Sequence, residues 1–225
     1  IIQQRYLPNK YSYFMLALYN RGIYRTNIRA TLNTMKTLIN LLSAVCLVAC
    51  GGGNAPTSDL VCVYGDSTTK RNPYTAIKDA GIDILAFGSP GARSDHLLEG
   101  RNAYFYNTWS EELKNSCTVV VLNFGLNDVG SGRYNAQSFA AQLSAMRDTA
   151  RAAGKRVILE TPNPTNEPTK DTLVGYVAAV NALGGEIVDN HALFGGAFKQ
   201  EWMADDAHPN ALGYSRKALN LLRAL

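Results

Sequence analysis

From Asp59 to the C-terminus, short β-branched apolar runs alternate with longer amphipathic segments, and no other feature limits the fold as tightly. The strand candidates are Leu60–Tyr64, Ile82–Phe87, Thr118–Phe124, Arg156–Glu160 and Glu186–Val188, each bounded by Gly, Pro or polar residues. Strand–helix alternation of this kind builds a parallel sheet covered by helices on both faces. Crossovers between parallel strands are right-handed, which prunes the topologies further. The expected architecture is therefore α/β: a three-layer α/β/α sandwich around a five-stranded parallel sheet in the flavodoxin-like order 2-1-3-4-5. Ligands bind such sheets beyond the carboxyl ends of the strands. No internal repeat or second domain is visible.

Three segments between or after the strands have helical periodicity. Ala136–Ala153 places Phe139, Leu143, Met146 and Ala150 on one face. Thr172–Leu183 stops at Gly184-Gly185, a natural helix end. Asn210 is placed to cap a last helix running to about Leu222, with Leu212, Ala218, Leu219 and Leu222 expected to turn inward.

Four short signatures fall in the loops after strands or in the C-terminal segment: Gly65-Asp66-Ser67, Gly91, Gly125-Leu126-Asn127-Asp128, and Asp205-Asp206-Ala207-His208. Singly each is weak, since turns and helix caps use the same residues. In this order they supply a hydroxyl nucleophile, donors for an oxyanion, and a His with a carboxylate three residues before it. A serine hydroxyl is a poor nucleophile until a base takes its proton. His208 is the best base, because imidazole accepts a proton near neutral pH and can return it to a leaving group. Asp205 can reach the other ring nitrogen and fix the tautomer, and Asp206 is the rival carboxylate. His96 and His191 lack an equivalent setting and are read as structural. Asn127 and the Gly91 backbone can donate to an oxyanion, although Gly88 offers a second glycine in the same loop.

The ordered set resembles the GDSL, or SGNH, hydrolase family over residues 59–225. Gly65-Asp66-Ser67 matches its first block and Ser89-Pro90-Gly91-Ala92 its second. Gly125-Leu126-Asn127-Asp128 matches the third, and Asp205-to-His208 with Pro209-Asn210 the last. The resemblance implies that Ser67 is the nucleophile, His208 the base and Asp205 its orienter. It implies an oxyanion hole of the Ser67 and Gly91 backbones and the Asn127 side chain. Thr68 departs from the Leu frequent in the family and adds polarity beside the nucleophile. Trp202-Met203-Ala204-Asp205-Asp206 is also similar to the periplasmic thioesterase, arylesterase and lysophospholipase subgroup. The Gly-x-Ser-x-Gly elbow of α/β-hydrolases is absent.

The first 58 residues read differently. Met35-Lys36, an apolar stretch from Leu38 to Ala49, and Leu47-Val48-Ala49-Cys50 resemble a bacterial lipoprotein signal over residues 35–50 that ends at a lipidated Cys50. Residues 51–58 read as a flexible tether, and residues 1–34 as translated upstream sequence outside the mature protein. The chain carries a formal +4, but residues 1–50 hold six of its 22 Lys and Arg and none of its 18 acids. The remainder has 16 basic against 18 acidic residues, a net charge of about −2 that gives no ground for nucleic-acid binding. No metal site is expected: there is no C-x-x-C or H-E-x-x-H, and the chain has three His.

Beyond the signal, Cys62 and Cys117 remain. If Gly65 and Gly125 mark level strand ends, the two cysteines are offset by five residues, roughly 16 Å at the rise of a strand. A disulfide needs roughly 4.4–6.8 Å between Cα atoms, so two free buried thiols are expected. Two segments bear on specificity. Tyr104, Phe105, Tyr106 and Trp109 read as core before acyl pocket, and Thr161–Pro168 as a substrate-facing rim or a plain connection.

The expected protein is a monomeric serine esterase, lipid-anchored in the bacterial envelope at the outer membrane or periplasmic face. It would act without a cofactor on a small-molecule, glycan or lipid acyl ester. Acyl transfer to a sugar or lipid acceptor, and binding without turnover, are the alternatives.

Overall fold

The computed structural model describes residues 59–225; the segments read as upstream sequence, as a lipoprotein signal ending at Cys50 and as a tether lie outside the described residues. Within them, β1 (Leu60–Gly65) leads into α1 (Ser67–Arg71) and α2 (Thr75–Asp79). Next come β2 (Asp83–Gly88), α3 (Ser94–Glu99), α4 (Trp109–Glu112), β3 (Val119–Asn123) and α5 (Leu126–Ser131). Then follow α6 (Ala136–Ala152), β4 (Arg156–Glu160), α7 (Lys170–Ala182), β5 (Glu186–Val188), α8 (Asn190–Leu193) and α9 (Ala211–Leu222). The five strands form one parallel sheet in the order β2-β1-β3-β4-β5, as the alternation predicts. Among the described residues no helix is long and apolar enough to cross a membrane.

Successive strand residues face opposite sides of a sheet, and each side has its own core. Cys62, Tyr64, Val120, Leu122 and Leu159 pack with Phe139, Leu143 and Met146 of α6 and Leu173 and Tyr176 of α7. Val61, Val63, Val121 and Ile158 pack on the other side with Ile77 of α2 and Leu221 of α9. The predicted inner face of α6 is confirmed residue by residue: Phe139, Leu143, Met146 and Ala150 are all fully buried.

Two expectations are corrected. In α9 Ala218 is buried and Leu222 packs partly buried against the core as expected, but the other buried positions are Gly213, Tyr214, Lys217 and Leu221, whereas Leu212 and Leu219 are exposed. The cause is Gly213, where a Cβ would stand 2.3 Å from the Trp202 carbonyl oxygen. The preceding loop presses on that glycine and fixes the rotation of the helix, against the pattern of its leucines.

Cys62 and Cys117 are joined in a disulfide with Cα atoms 5.9 Å apart, so they are not free thiols. The register pairs Gly65 with Asn123 rather than Gly125, which reduces the offset from five residues to three. Cys117 also precedes β3, where Asn115 Oδ1 accepts from the Cys117 N–H and the chain turns instead of extending.

Candidate active site

The nucleophile candidate sits where β1 becomes α1. Asp66 is extended and caps the helix, its Oδ1 accepting from Thr68 N–H and from the Thr68 hydroxyl, each at 2.8 Å. Ser67 is the first helical residue. The turn can lie this close to the sheet because position 65 is glycine: a Cβ there would be 2.3 Å from the Asn123 carbonyl oxygen. The Thr68 hydroxyl is turned inward, donating to Asp66 and accepting from Asn123 Nδ2 at 3.1 Å. Its polarity is spent on holding the turn, which answers the expectation that it adds a polar wall.

Residues far apart in the chain meet here. Ser67 Oγ lies 2.8 Å from His208 Nε2, and His208 Nδ1 lies 2.9 Å from both carboxylate oxygens of Asp205. Asp205 Oδ1 also accepts from the backbone N–H groups of Ala207 (2.9 Å) and His208 (2.7 Å). Burial pushes the Asp205 carboxyl up, but these two N–H bonds and the imidazole outweigh it and hold the group down at about 2. Asp205 is therefore ionised at neutral pH, and the ring nitrogen facing it carries the proton. Nε2 is left as the acceptor toward Ser67. Asp206 turns the other way, its carboxylate accepting from Asn166 Nδ2 at 3.2 Å.

The loop carrying His208 is stiff for reasons the sequence shows only in part. Ala204 N–H donates to the His208 carbonyl at 2.8 Å, and Met203 and Pro209 form an antiparallel bridge. Asn210 caps α9 through Gly213 N–H and also donates to the Glu201 carbonyl. A second brace comes from the segment after β4. Asn163 Nδ2 donates to the Ala207 carbonyl at 3.0 Å, and Thr165 Oγ1 to that of Asp206 at 2.7 Å. The segment read as a rim thus holds the base loop from behind, with Asn163 and Thr165 buried. It also lines a cleft of about 290 Å³ with Lys170, His191 and Phe198.

Gly91 and Asn127 follow the two strands that flank β1. Gly91 has φ +80, and Asn127 Nδ2 donates to the Ala92 carbonyl at 3.1 Å, which ties the two loops together. An amide nitrogen has two hydrogens, so the second stays available to a ligand. Gly88 is committed elsewhere: a Cβ there would be 2.2 Å from Lys70 N, so it serves the packing of α1.

Asp128 does structural work that the sequence does not announce. It is fully buried, and its Oδ1 accepts from Ser94 N–H (3.0 Å) and Ser94 Oγ (2.5 Å), pinning the start of α3 to α5. Burial drives its carboxyl up to about 6, against the two Ser94 bonds and with help from the Asp66 and Asp95 charges.

The aromatic cluster divides. Phe105 and Trp109 are core, and Tyr106 is exposed. The Tyr104 ring stacks on His96 at 4.2 Å and borders Gly91, its edge 3.5 Å from where a Cβ at 91 would stand. His96 accepts from Arg93 N–H, and His191 donates its backbone N–H to Thr161; neither belongs to the Ser67–His208–Asp205 chain.

The profile of the GDSL-like Lipase/Acylhydrolase family matches residues 49–216. No curated protein sequence matches the chain. Several solved structures share its fold. A GDSL-like lipase from Bacteroides thetaiotaomicron is 22% identical with a TM-score of 0.62, over 77% of this chain and 91% of that one. A variant of a Geobacillus acetyl-xylooligosaccharide esterase is 19% identical with a TM-score of 0.59, over 75% and 94%. A carbohydrate esterase family 3 protein from Talaromyces cellulolyticus is 20% identical with a TM-score of 0.58, over 73% and 95%.

Proposed function

Because this chain belongs to the GDSL-like lipase/acylhydrolase family, we propose that it hydrolyses carboxylic esters through an acyl intermediate on Ser67. The observation that carries this reading is the continuous chain Ser67 Oγ–His208 Nε2 and His208 Nδ1–Asp205, at 2.8 and 2.9 Å. Ser67 Oγ attacks the carbonyl carbon as its proton passes to His208 Nε2. Asp205 stabilises the imidazolium without taking the proton. The tetrahedral oxyanion is held by the N–H groups of Ser67 and Gly91 and by Asn127 Nδ2. Collapse expels the alcohol, which takes the proton from Nε2. Water then attacks the acyl-enzyme by the same route and frees the acid. These steps draw on no cofactor.

The preferred acyl group in this reading is short, acetyl above all. Tyr104, whose ring borders Gly91, is the candidate wall for the acyl group in this reading. The structural neighbours named as acetyl-xylooligosaccharide and carbohydrate esterases make acetylated sugars the first substrates to try. The enzyme works at the cell envelope, anchored through lipidated Cys50. The Cys62–Cys117 disulfide suits an oxidising compartment and so supports export.

A panel of nitrophenyl esters from acetate to long chains, with an acetylated xylooligosaccharide, tests the activity. Acetate esters should turn over fastest. Ser67→Ala and His208→Ala should each lower kcat by roughly 10⁵- to 10⁶-fold while far-UV circular dichroism stays unchanged. Turnover that survives either substitution refutes the assignment. Metabolic labelling with a fatty acid, lost in Cys50→Ala, tests the anchor.

A further inference from the structure

Beneath the turn that carries Ser67 lies a buried group of charged side chains that the proposed chemistry leaves unused. The sheet register sets Asn123 level with Gly65 and Glu160 level with Asn123. By strand alternation Glu160 shares the face of Ile158, the side covered by α9 through Leu221. One turn before Leu221 on the same helix is Lys217, which is 1% exposed. Asp66 and Glu160 are 1% and 2% exposed.

The hydrogen bonds around this group are incomplete. Glu160 accepts from Asn190 Nδ2 at 3.1 Å, and Asp66 accepts from Thr68. Lys217 Nζ has no hydrogen-bond partner, and neither does the hydroxyl of Tyr214, which is buried in the same region. A buried ammonium among apolar side chains costs several kcal/mol unless opposite charge faces it. Here two carboxyl groups share the buried region, and burial pushes both the Asp66 and the Glu160 carboxyl up while the Lys217 charge opposes that. Burial pushes the Lys217 ammonium toward neutrality, and the Glu160 and then the Asp66 carboxylate oppose that. The position has a mechanical consequence. Asp66 immediately precedes Ser67, while Tyr214 and Lys217 lie on the helix that begins just after His208-Pro209-Asn210.

We propose that Lys217 is a positioning residue: its ammonium is the shared counter-charge of Asp66 and Glu160, and it seats the helix behind His208 against the turn of Ser67. The role rests on the esterase reading, because it acts through the distance between those two side chains. A displacement of about 1 Å at such a pair costs on the order of 100-fold in rate.

The test compares Lys217→Met with the double variant Lys217→Met/Glu160→Gln, which returns the group to its wild-type net charge with Asp66 as the remaining carboxylate, measuring kcat, KM and melting temperature on nitrophenyl acetate. The single variant leaves two buried carboxylates without a cation. It should lose about 10- to 100-fold in kcat with KM changed less than about 3-fold. The double variant should recover kcat to within about 5-fold of wild type and melt above the single variant. A role confined to packing would give no recovery, since the second substitution restores no contact to residue 217. An unchanged kcat in Lys217→Met overturns the proposal. So does a double variant no better than the single one, or equally insoluble if the single one fails to fold. Wild-type protein inactive on every ester would instead refute the assignment of Ser67 itself, and the positioning role with it.

Discussion

On one face of the sheet, Tyr64, Val120, Leu122 and Leu159 meet Phe139, Leu143, Met146 and Tyr176 in a core that is almost wholly apolar. On the other, Val61, Val63, Val121 and Ile158 begin the same way, but at the carboxyl edge the row ends in Asn123 and Glu160, opposite Lys217. The first face has large side chains in close contact, its polar atoms limited to groups such as the Tyr64 hydroxyl that donates to Glu112, so its contribution is to stability. The second trades apolar area for buried polar groups directly under Ser67. Unpaired buried polar groups are costly, and they persist where they fix a geometry. The active edge is thus built over the polar face, while the apolar face anchors the domain.

That contrast predicts a separation of rate from stability. The largest expected change after Ser67 and His208 is at Asp205. Asp205→Ala should lower kcat by roughly 10³- to 10⁴-fold with little loss of stability, because the imidazole loses its orienting partner. Asp206→Ala, whose carboxylate faces Asn166, should stay within about 3-fold of wild type. If Asp206 proved the more sensitive, the carboxylate has been misassigned. In the apolar core, Leu143→Ala should behave oppositely, with about 2–5 kcal/mol lost in denaturant unfolding and kcat nearly intact. A large kinetic defect there would break the division between the faces.

Asp128 gives a pH signature. Its carboxyl titrates at about 6 in the folded protein, above the ordinary 3.8. The folded state therefore takes up this proton before the unfolded chain does, and stability from this group rises as pH falls from about 6 toward 4. Above pH 6 the folded state bears the cost of a buried charge, at most roughly 3 kcal/mol. Asp128→Asn should be more stable than wild type at pH 8, with the gap closing near pH 4. Parallel melting curves across that range would show that Asp128 is not strained by its charge. A modest effect is expected at Tyr104. Tyr104→Ala should shift preference toward longer acyl chains by about 10-fold in relative kcat/KM, the scale of one or two methylenes in a pocket. An unchanged chain-length profile would remove Tyr104 as the acyl wall.

The two carboxylates in the site loops show how far sequence reasoning reaches. Asp205 is three residues from His208, and a local turn is enough to bring them together, so that pairing is legible in the chain. Asp128 is held by Ser94, 34 residues away, and nothing local hints that it will be buried. The β4 segment likewise looks like a connection until Asn163 and Thr165 are seen bonded to the base loop, more than 40 residues ahead. The Cys62–Cys117 disulfide is hidden from the sequence for a related reason. A separation along an ideal strand says nothing about a chain that turns before the strand begins.

By itself the sequence determined the alternation, with which the observed strand order agrees, the face of α6, and the local pairing of Asp205 with His208, all from periodicity or short-range geometry. The other candidate site residues rest on the ordered signatures and the family they resemble. Only the tertiary structure decided the rotation of α9, the pairing of Cys62 with Cys117, and the burial of Lys217. Each depends on which backbones approach across the sheet. At Gly213 a close contact with the Trp202 carbonyl outweighs the leucine pattern of the helix, and a hydrophobic period read along one segment holds no record of its neighbour.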